Sequence, residues 1–133
     1  MIVLDTHVLV WMDRDDPALG PRSRKLIEDC WGSDSVAVSA ISFWEVAMLE
    51  QRERVVLPLP VEDWRADLIQ SGLKELPLDG RIALLASGLQ AFHKDPADRF
   101  ITASAILSEA VLLTADNELL SWEGQIERQN ARL

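Results

Sequence analysis

Four acidic residues hold the chemistry available to this chain, and they are spread along its length. Asp5 ends the apolar run Ile2-Val3-Leu4, and Asp116 follows the run Val111-Leu112-Leu113-Thr114-Ala115. Glu45 and Asp98 fall within segments of helical periodicity, on faces otherwise apolar or small. Ile41, Ser42, Met48 and Leu49 surround Glu45, and Ile101, Thr102 and Ala105 share the face of Asp98. A carboxylate on a core-facing stripe is costly unless something pairs with it. Four that converge repel one another unless a cation lies between them. Carboxylate oxygens with water suit Mg²⁺ or Mn²⁺, as one or two ions, whereas the sequence lacks the cysteine and histidine cluster that zinc prefers. Two such ions about 4 Å apart can activate a water and stabilise a leaving oxygen. No Gly-rich phosphate loop is present to support nucleotide triphosphate hydrolysis.

Each acid also has a plainer reading. Asp5 or Thr6 can cap a helix beginning near His7, and Asp116 can cap one beginning at Asn117. Asp95 before Pro96 makes a strong helix start, which puts Asp98 in the first turn where an acid favours the helix dipole. Asp95 is therefore read mainly as the cap and Asp98 mainly as a site residue. For substrate contact the candidates are His93 and Lys94, which immediately precede this helix, and Arg99 within it. The denser group Arg22, Arg24 and Lys25 reads better as a solvated helix face balanced by Glu28 and Asp29. Trp44 beside Glu45, and Trp11, invite a base-stacking role, but tryptophan at helical spacing is more often core or subunit interface. Trp64, next to Arg65, reads as partly exposed.

Positioning these residues falls to alternating strands and helices. Strands are expected at 2–4, 36–38, 73–76 and 111–113, with a possible edge strand at Ile126 to Arg128. Helices are expected at 7–12, 21–31, up to about Arg52 after a Ser39 or Ser42 cap, 61–71, 80–89, 96–109 and 117–122. The strands are short apolar runs, as in a parallel sheet covered on both faces. Right-handed crossovers then place every strand's C-terminal end on one edge, where open α/β sheets bind ligands. Asp5 and Asp116 both leave strands there.

At 133 residues, with 48% hydrophobic and 26% charged, the chain has the size and composition of one globular domain, spanning 1–133. The longest apolar runs fall well short of a membrane span, and the N-terminus does not read as a secretory signal. Cys30 is the only cysteine, which excludes an internal disulfide, fits a cytoplasmic location, and reads as a small buried hydrophobe. A net charge of −9 argues against a protein that coats nucleic acid, though clustered metal-binding carboxylates supply part of it.

Four segments together resemble PIN-domain proteins, and in detail the VapC-type toxins of type II toxin–antitoxin pairs. They are Ile2-Val3-Leu4-Asp5-Thr6-His7, Ser39 to Ala47 around Glu45, His93 to Ile101 around Asp98, and Leu113-Thr114-Ala115-Asp116. The resemblance spans essentially the whole chain, with the motifs in order. It implies a three-layer α/β/α fold on a central, mainly parallel sheet of four or five short strands. It further implies an Mg²⁺- or Mn²⁺-dependent endoribonuclease that hydrolyses RNA with a metal-activated water. Asp5, Glu45, Asp98 and Asp116 match the family's acidic quartet, and Thr6 and Thr114 match hydroxyl residues able to orient carboxylates or water. A homodimer and a cognate antitoxin are the implied partners, with DNA touched only through the antitoxin. The alternative is a catalytically silent use of the same scaffold to bind RNA or a protein.

Overall fold

A computed structural model describes residues 1–92 and 95–133; His93 and Lys94, expected near the substrate, lie outside the described residues. Five strands, β1 (Ile2–Leu4), β2 (Val36–Ser39), β3 (Lys74–Leu76), β4 (Val111–Thr114) and β5 (Arg128–Asn130), form one sheet in the order β3-β2-β1-β4-β5. Every pairing is parallel. β1 is central, and its two neighbours, β2 and β4, continue the chain in opposite directions across the sheet. The crevice between the ends of β1 and β4 is therefore the point where strand order reverses.

The helices are α1 (Thr6–Asp13), α2 (Pro21–Gly32), α3 (Ile41–Gln51), α4 (Val61–Gln70), α5 (Gly80–Ser87), α6 (Pro96–Leu107) and α7 (Asn117–Ser121). Alternate strand side chains feed two separate cores, as the two-residue period requires. Ile2, Leu4, Val36, Val38 and Leu113 pack against Val8 and Leu9 of α1, Ile27 of α2, Phe43 and Val46 of α3, and Trp64 and Leu68 of α4. Val3, Ala37 and Leu112 meet Ile101 and Ala105 of α6 and Leu119 of α7 on the opposite face. The α6 run from Ile101 to Ala105 is buried on all sides because α5 covers its outer flank, with Ile82 and Ala86 against Ala103. Three layers result. Among the described residues, no helix is long and apolar enough to cross a membrane.

Helix ends follow their local chemistry. Asp95 accepts from the Ala97 and Asp98 amides ahead of Pro96, and Asp79 accepts from the Ile82 amide. Gly72 ends the α4 turn with φ +123°, a conformation that a side chain would strain. At α3 the Ile41 amide donates to Ser39 Oγ, while Ser42 is turned to a different use.

Three expectations need correction. The last strand occupies Arg128–Asn130 instead of Ile126 to Arg128. Ile126 packs on the core from the preceding loop, while Arg128 donates to the carbonyls of Leu119, Trp122 and Gly124 and fixes where the strand begins. Trp64 is buried, its indole N–H donating to Asp13 Oδ2 at 2.8 Å. Cys30 is half-buried against the first core instead of enclosed within it.

Candidate active site

Asp5 stands immediately beyond β1 and is only 3% exposed. Its backbone extends the sheet by one step, donating to the Leu113 carbonyl at 3.0 Å. Its carboxylate is held from two sides: Oδ1 accepts from the Thr6 amide at 2.8 Å, and Oδ2 from the Thr114 hydroxyl at 2.6 Å. Such charge-assisted bonds are each worth about 1.5–3 kcal/mol, which offsets the burial of this acid. Thr114 Oγ1 also accepts the Asp116 amide at 3.0 Å. One hydroxyl thus couples the first acid to the last.

Glu45 reaches this edge from α3, which packs against both α1 and α6. The Thr6 hydroxyl bridges Glu45 Oε1 and Ser42 Oγ, lying 3.0 Å from the latter. Half-buried, Glu45 has its carboxyl raised above the usual range by loss of solvent. The Thr6 hydrogen bond opposes that rise, and the charges of Asp5 and Asp95 add to it.

Asp98 lies in the first turn of α6 and is 7% exposed. The helix dipole favours its charge, but desolvation wins. Burial, reinforced by the charges of Asp5, Asp95, Asp116 and Glu45, pushes Asp98 up to about 8. Asp98 is thus close enough to feel the other three members of the quartet. One turn further along α6, the buried Thr102 hydroxyl has no hydrogen-bond partner among the described residues.

Asp116 both caps and faces the site. Its Oδ1 accepts from the Glu118 and Leu119 amides at the start of α7, so the plainer reading also holds, and the cap uses only this oxygen. Asp95 is the α6 cap, near enough for its charge to raise both Asp98 and Glu45. Arg99, a candidate for substrate contact, donates to the carbonyls of Ala86, Leu89 and Phe92 and lies over the Phe92 ring. Those bonds tie the end of α5 and the loop after it to α6.

Two residues absent from the sequence-derived site touch it. His7 Nε2 accepts from the Ala115 amide at 3.1 Å, and Arg132 donates to the Ala115 carbonyl at 2.6 Å. His7 was detectable in principle as a polar side chain two positions after a buried acid. Arg132 follows Asp116 by sixteen residues, outside every recognisable motif, and only the pairing of β4 with β5 brings it near.

Could these residues hold a metal? Among the described residues, no three acidic, histidine or cysteine side chains close into a ready-made cage. The donors are all oxygen, partly exposed at Glu45 and Asp116 and, at Asp98, raised first by burial and then by neighbouring carboxylates. An open set of that kind fits Mg²⁺ or Mn²⁺, which keep several waters and bind through a few carboxylates. Beside it opens a cavity of about 500 Å³ lined by Ile41, Trp44, Glu45, Asp95, Pro96, Ala97 and Phe100. Trp44, 58% exposed in this chain, forms part of its wall and is not a core residue.

Residues 2–122 match the PIN domain family. Ribonuclease VapC22 of Mycobacterium tuberculosis is 35% identical over 121 residues, covering 90% of each chain. Among solved structures, the DNA-bound VapBC from Salmonella typhimurium aligns with a TM-score of 0.70 at 16% identity, over 97% of this chain and 96% of that one. The VapBC2 complex from Rickettsia felis, bound to a promoter DNA fragment, aligns with a TM-score of 0.67 at 18% identity over 98% of both chains. At these identities the structural likeness speaks for the fold.

Proposed function

The chain belongs to the PIN-domain family, and from that premise we propose that it is the ribonuclease toxin of a toxin–antitoxin pair. In this reading residues 1–133 act as one cytoplasmic catalytic domain that hydrolyses RNA phosphodiester bonds and is neutralised by a cognate antitoxin. The observation that carries the reading is the grouping of Asp5, Glu45 and Asp116 around Asp98 at the switch point of a parallel sheet, where the charges of the three act on Asp98. The curated relative, named as a ribonuclease over nine-tenths of both chains, supports the same chemistry.

Asp5, Glu45, Asp98 and Asp116 would hold Mg²⁺ or Mn²⁺, as one or two ions. When bound, the metal supplies charge neutralisation for the phosphate and a lowered pKa for the attacking water. The protein's own contribution is arrangement. Thr114 and the Thr6 amide fix both oxygens of Asp5 in direction. Thr6 turns Glu45 toward the same edge, and the Asp95 cap sets the first turn of α6 from which Asp98 projects. Orienting contacts of this kind tune ligand basicity and geometry. Burial of Asp5 and Asp98 excludes competing water, and the adjoining cavity gives an RNA strand room beside the acids.

In a pair of this type, an antitoxin would cover the acidic edge and any DNA contact would be the antitoxin's own; a homodimer is the assembly we propose. The VapBC complexes sharing this fold make an antitoxin the natural partner. The deciding experiment is cleavage-site mapping on total RNA with purified protein, comparing Mg²⁺, Mn²⁺ and EDTA. Metal-dependent cuts that vanish in Asp98→Asn are expected. Wild-type protein that binds RNA but never cleaves it with either metal would instead favour a silent binding module.

A further inference from the structure

Between Thr114 and Asp116 sits Ala115, 4% exposed, and both of its backbone polar groups are taken by side chains distant in sequence. The N–H donates to His7 Nε2 at 3.1 Å, and the carbonyl accepts from Arg132 Nη1 at 2.6 Å. The indole of Trp11 closes the arrangement. The His7 ring meets it edge-on with centroids 5.1 Å apart, and the Arg132 guanidinium lies 5.9 Å from its centroid. Arg132 is itself held, because its amide donates to Asn130 Oδ1 and the preceding Ala131 amide donates to the Thr114 carbonyl.

We propose that His7 and Arg132 are positioning residues that lock the Ala115 backbone and so hold Asp116 within the carboxylate cluster. The proposal rests on the nuclease reading above, which gives Asp116 its role. The peptide units flanking Ala115 are the covalent link between the end of β4 and the Asp116 carbon skeleton. Each is held at both polar atoms: the first by the Ala131 amide and His7, the second by Arg132 and the Thr114 hydroxyl. His7 and Arg132 thus each supply one of two anchors, and without it a plane can tilt about the other. The α7 cap fixes one oxygen of Asp116 but not the direction in which its backbone approaches the site. Acceptance at Nε2 leaves the imidazole proton on Nδ1, which lies 3.7 Å from Asp5 Oδ2. At that distance the contact orients charge and dipole without being a hydrogen bond. His7 therefore spans the gap from the first acid to the backbone before the last. Arg132 lies in the C-terminal segment, beyond the residues matched to the family.

The test compares His7→Leu, His7→Gln and Arg132→Met with wild type in the full chain. Three readouts are used: Ala115 amide hydrogen exchange by NMR without metal, affinity for Mn²⁺ alone, and kcat and KM on RNA. His7→Leu and Arg132→Met should each speed Ala115 exchange, weaken Mn²⁺ binding by about tenfold and lower kcat by about 10–100-fold, with KM within about twofold. In His7→Gln, whose Oε1 can accept the same N–H, most of each loss should be recovered. Unchanged exchange and Mn²⁺ affinity in His7→Leu and Arg132→Met would overturn the proposal, and so would a glutamine variant as impaired as leucine. Should His7→Leu fail to fold, Arg132→Met at an exposed position decides. If wild type cleaves no RNA, the nuclease reading fails by itself, while the exchange and Mn²⁺ readouts still judge the clamp.

Discussion

Asp98 is where structure and activity pull hardest against each other. Its carboxyl, ordinarily near 3.8, is raised to about 8 by burial and by neighbouring acids. Between those values the folded chain holds a proton that the unfolded chain has lost. Without metal, this group therefore stabilises less as pH rises through that window, by up to about 1.4 kcal/mol per pH unit. In EDTA, wild type should melt lower at pH 8 than at pH 5.5. Asp98→Asn should lose most of that drop and melt about 3–8 °C higher than wild type at pH 8, while RNA cleavage disappears. A wild-type melting temperature that climbs between pH 5.5 and 8 would contradict this account. Thr114→Val tests the support around Asp5: removing the hydroxyl that donates to Oδ2 should lower kcat about 10–100-fold, measured on a defined RNA, with the fold retained. At this scale the sequence showed a good deal. Glu45 and Asp98 stood out as acids on apolar faces. The hydroxyl bridge from Thr6 to Ser42 and Glu45 was not legible, because it joins residues thirty-six and thirty-nine positions apart across a helix contact.

Elements were legible where apolar runs or caps mark them. β1, β2 and β4 are buried on both faces and read directly as apolar runs, while Asp95-Pro96 and Asp79 announced α6 and α5 by their capping chemistry. The outer strands were harder. β3 is Lys-Glu-Leu and β5 is Arg-Gln-Asn, polar edge segments whose place is set by partner strands and not by their own hydrophobicity. Helical spacing alone also could not tell the exposed Trp44 from the buried Trp64. Two substitutions probe this level. Asp95→Ala should lower stability by about 1 kcal/mol in urea melts by orphaning the first amides of α6, whereas Asp95→Asn retains the cap and should sit near wild type. Gly20→Ala should cost about 1–3 kcal/mol in the same assay, because a Cβ there would sit 2.3 Å from the Leu133 backbone and 2.4 Å from the Arg132 carbonyl oxygen.

For the molecule as a whole, the net charge of −9 is the feature an RNA-cutting enzyme must overcome. Much of its positive charge is already engaged. Arg14, Arg24, Lys25, Arg65 and Arg81 pair with carboxylates, while Arg99, Arg128 and Arg132 donate to backbone carbonyls. In the proposed nuclease, attraction for RNA is expected to lean on divalent ions more than on lysine and arginine. Raising NaCl from 50 to 200 mM at fixed Mg²⁺ should change KM by less than about tenfold, against the roughly 10³–10⁵-fold expected for six to ten direct phosphate contacts. A steep salt slope would show that cations elsewhere on the surface dominate. The position of β5 has a consequence in time as well as in space. Arg128 to Asn130 pair with β4, and just beyond them the carbonyls of Ala131 and Leu133 accept the amides that open α2. This strand follows Asp98 by thirty residues and Asp116 by twelve, so all four acids are synthesised before it. Until it docks, the sheet ends at β4 with an open rim, so a nascent chain carries its reactive groups before the brace that aligns them.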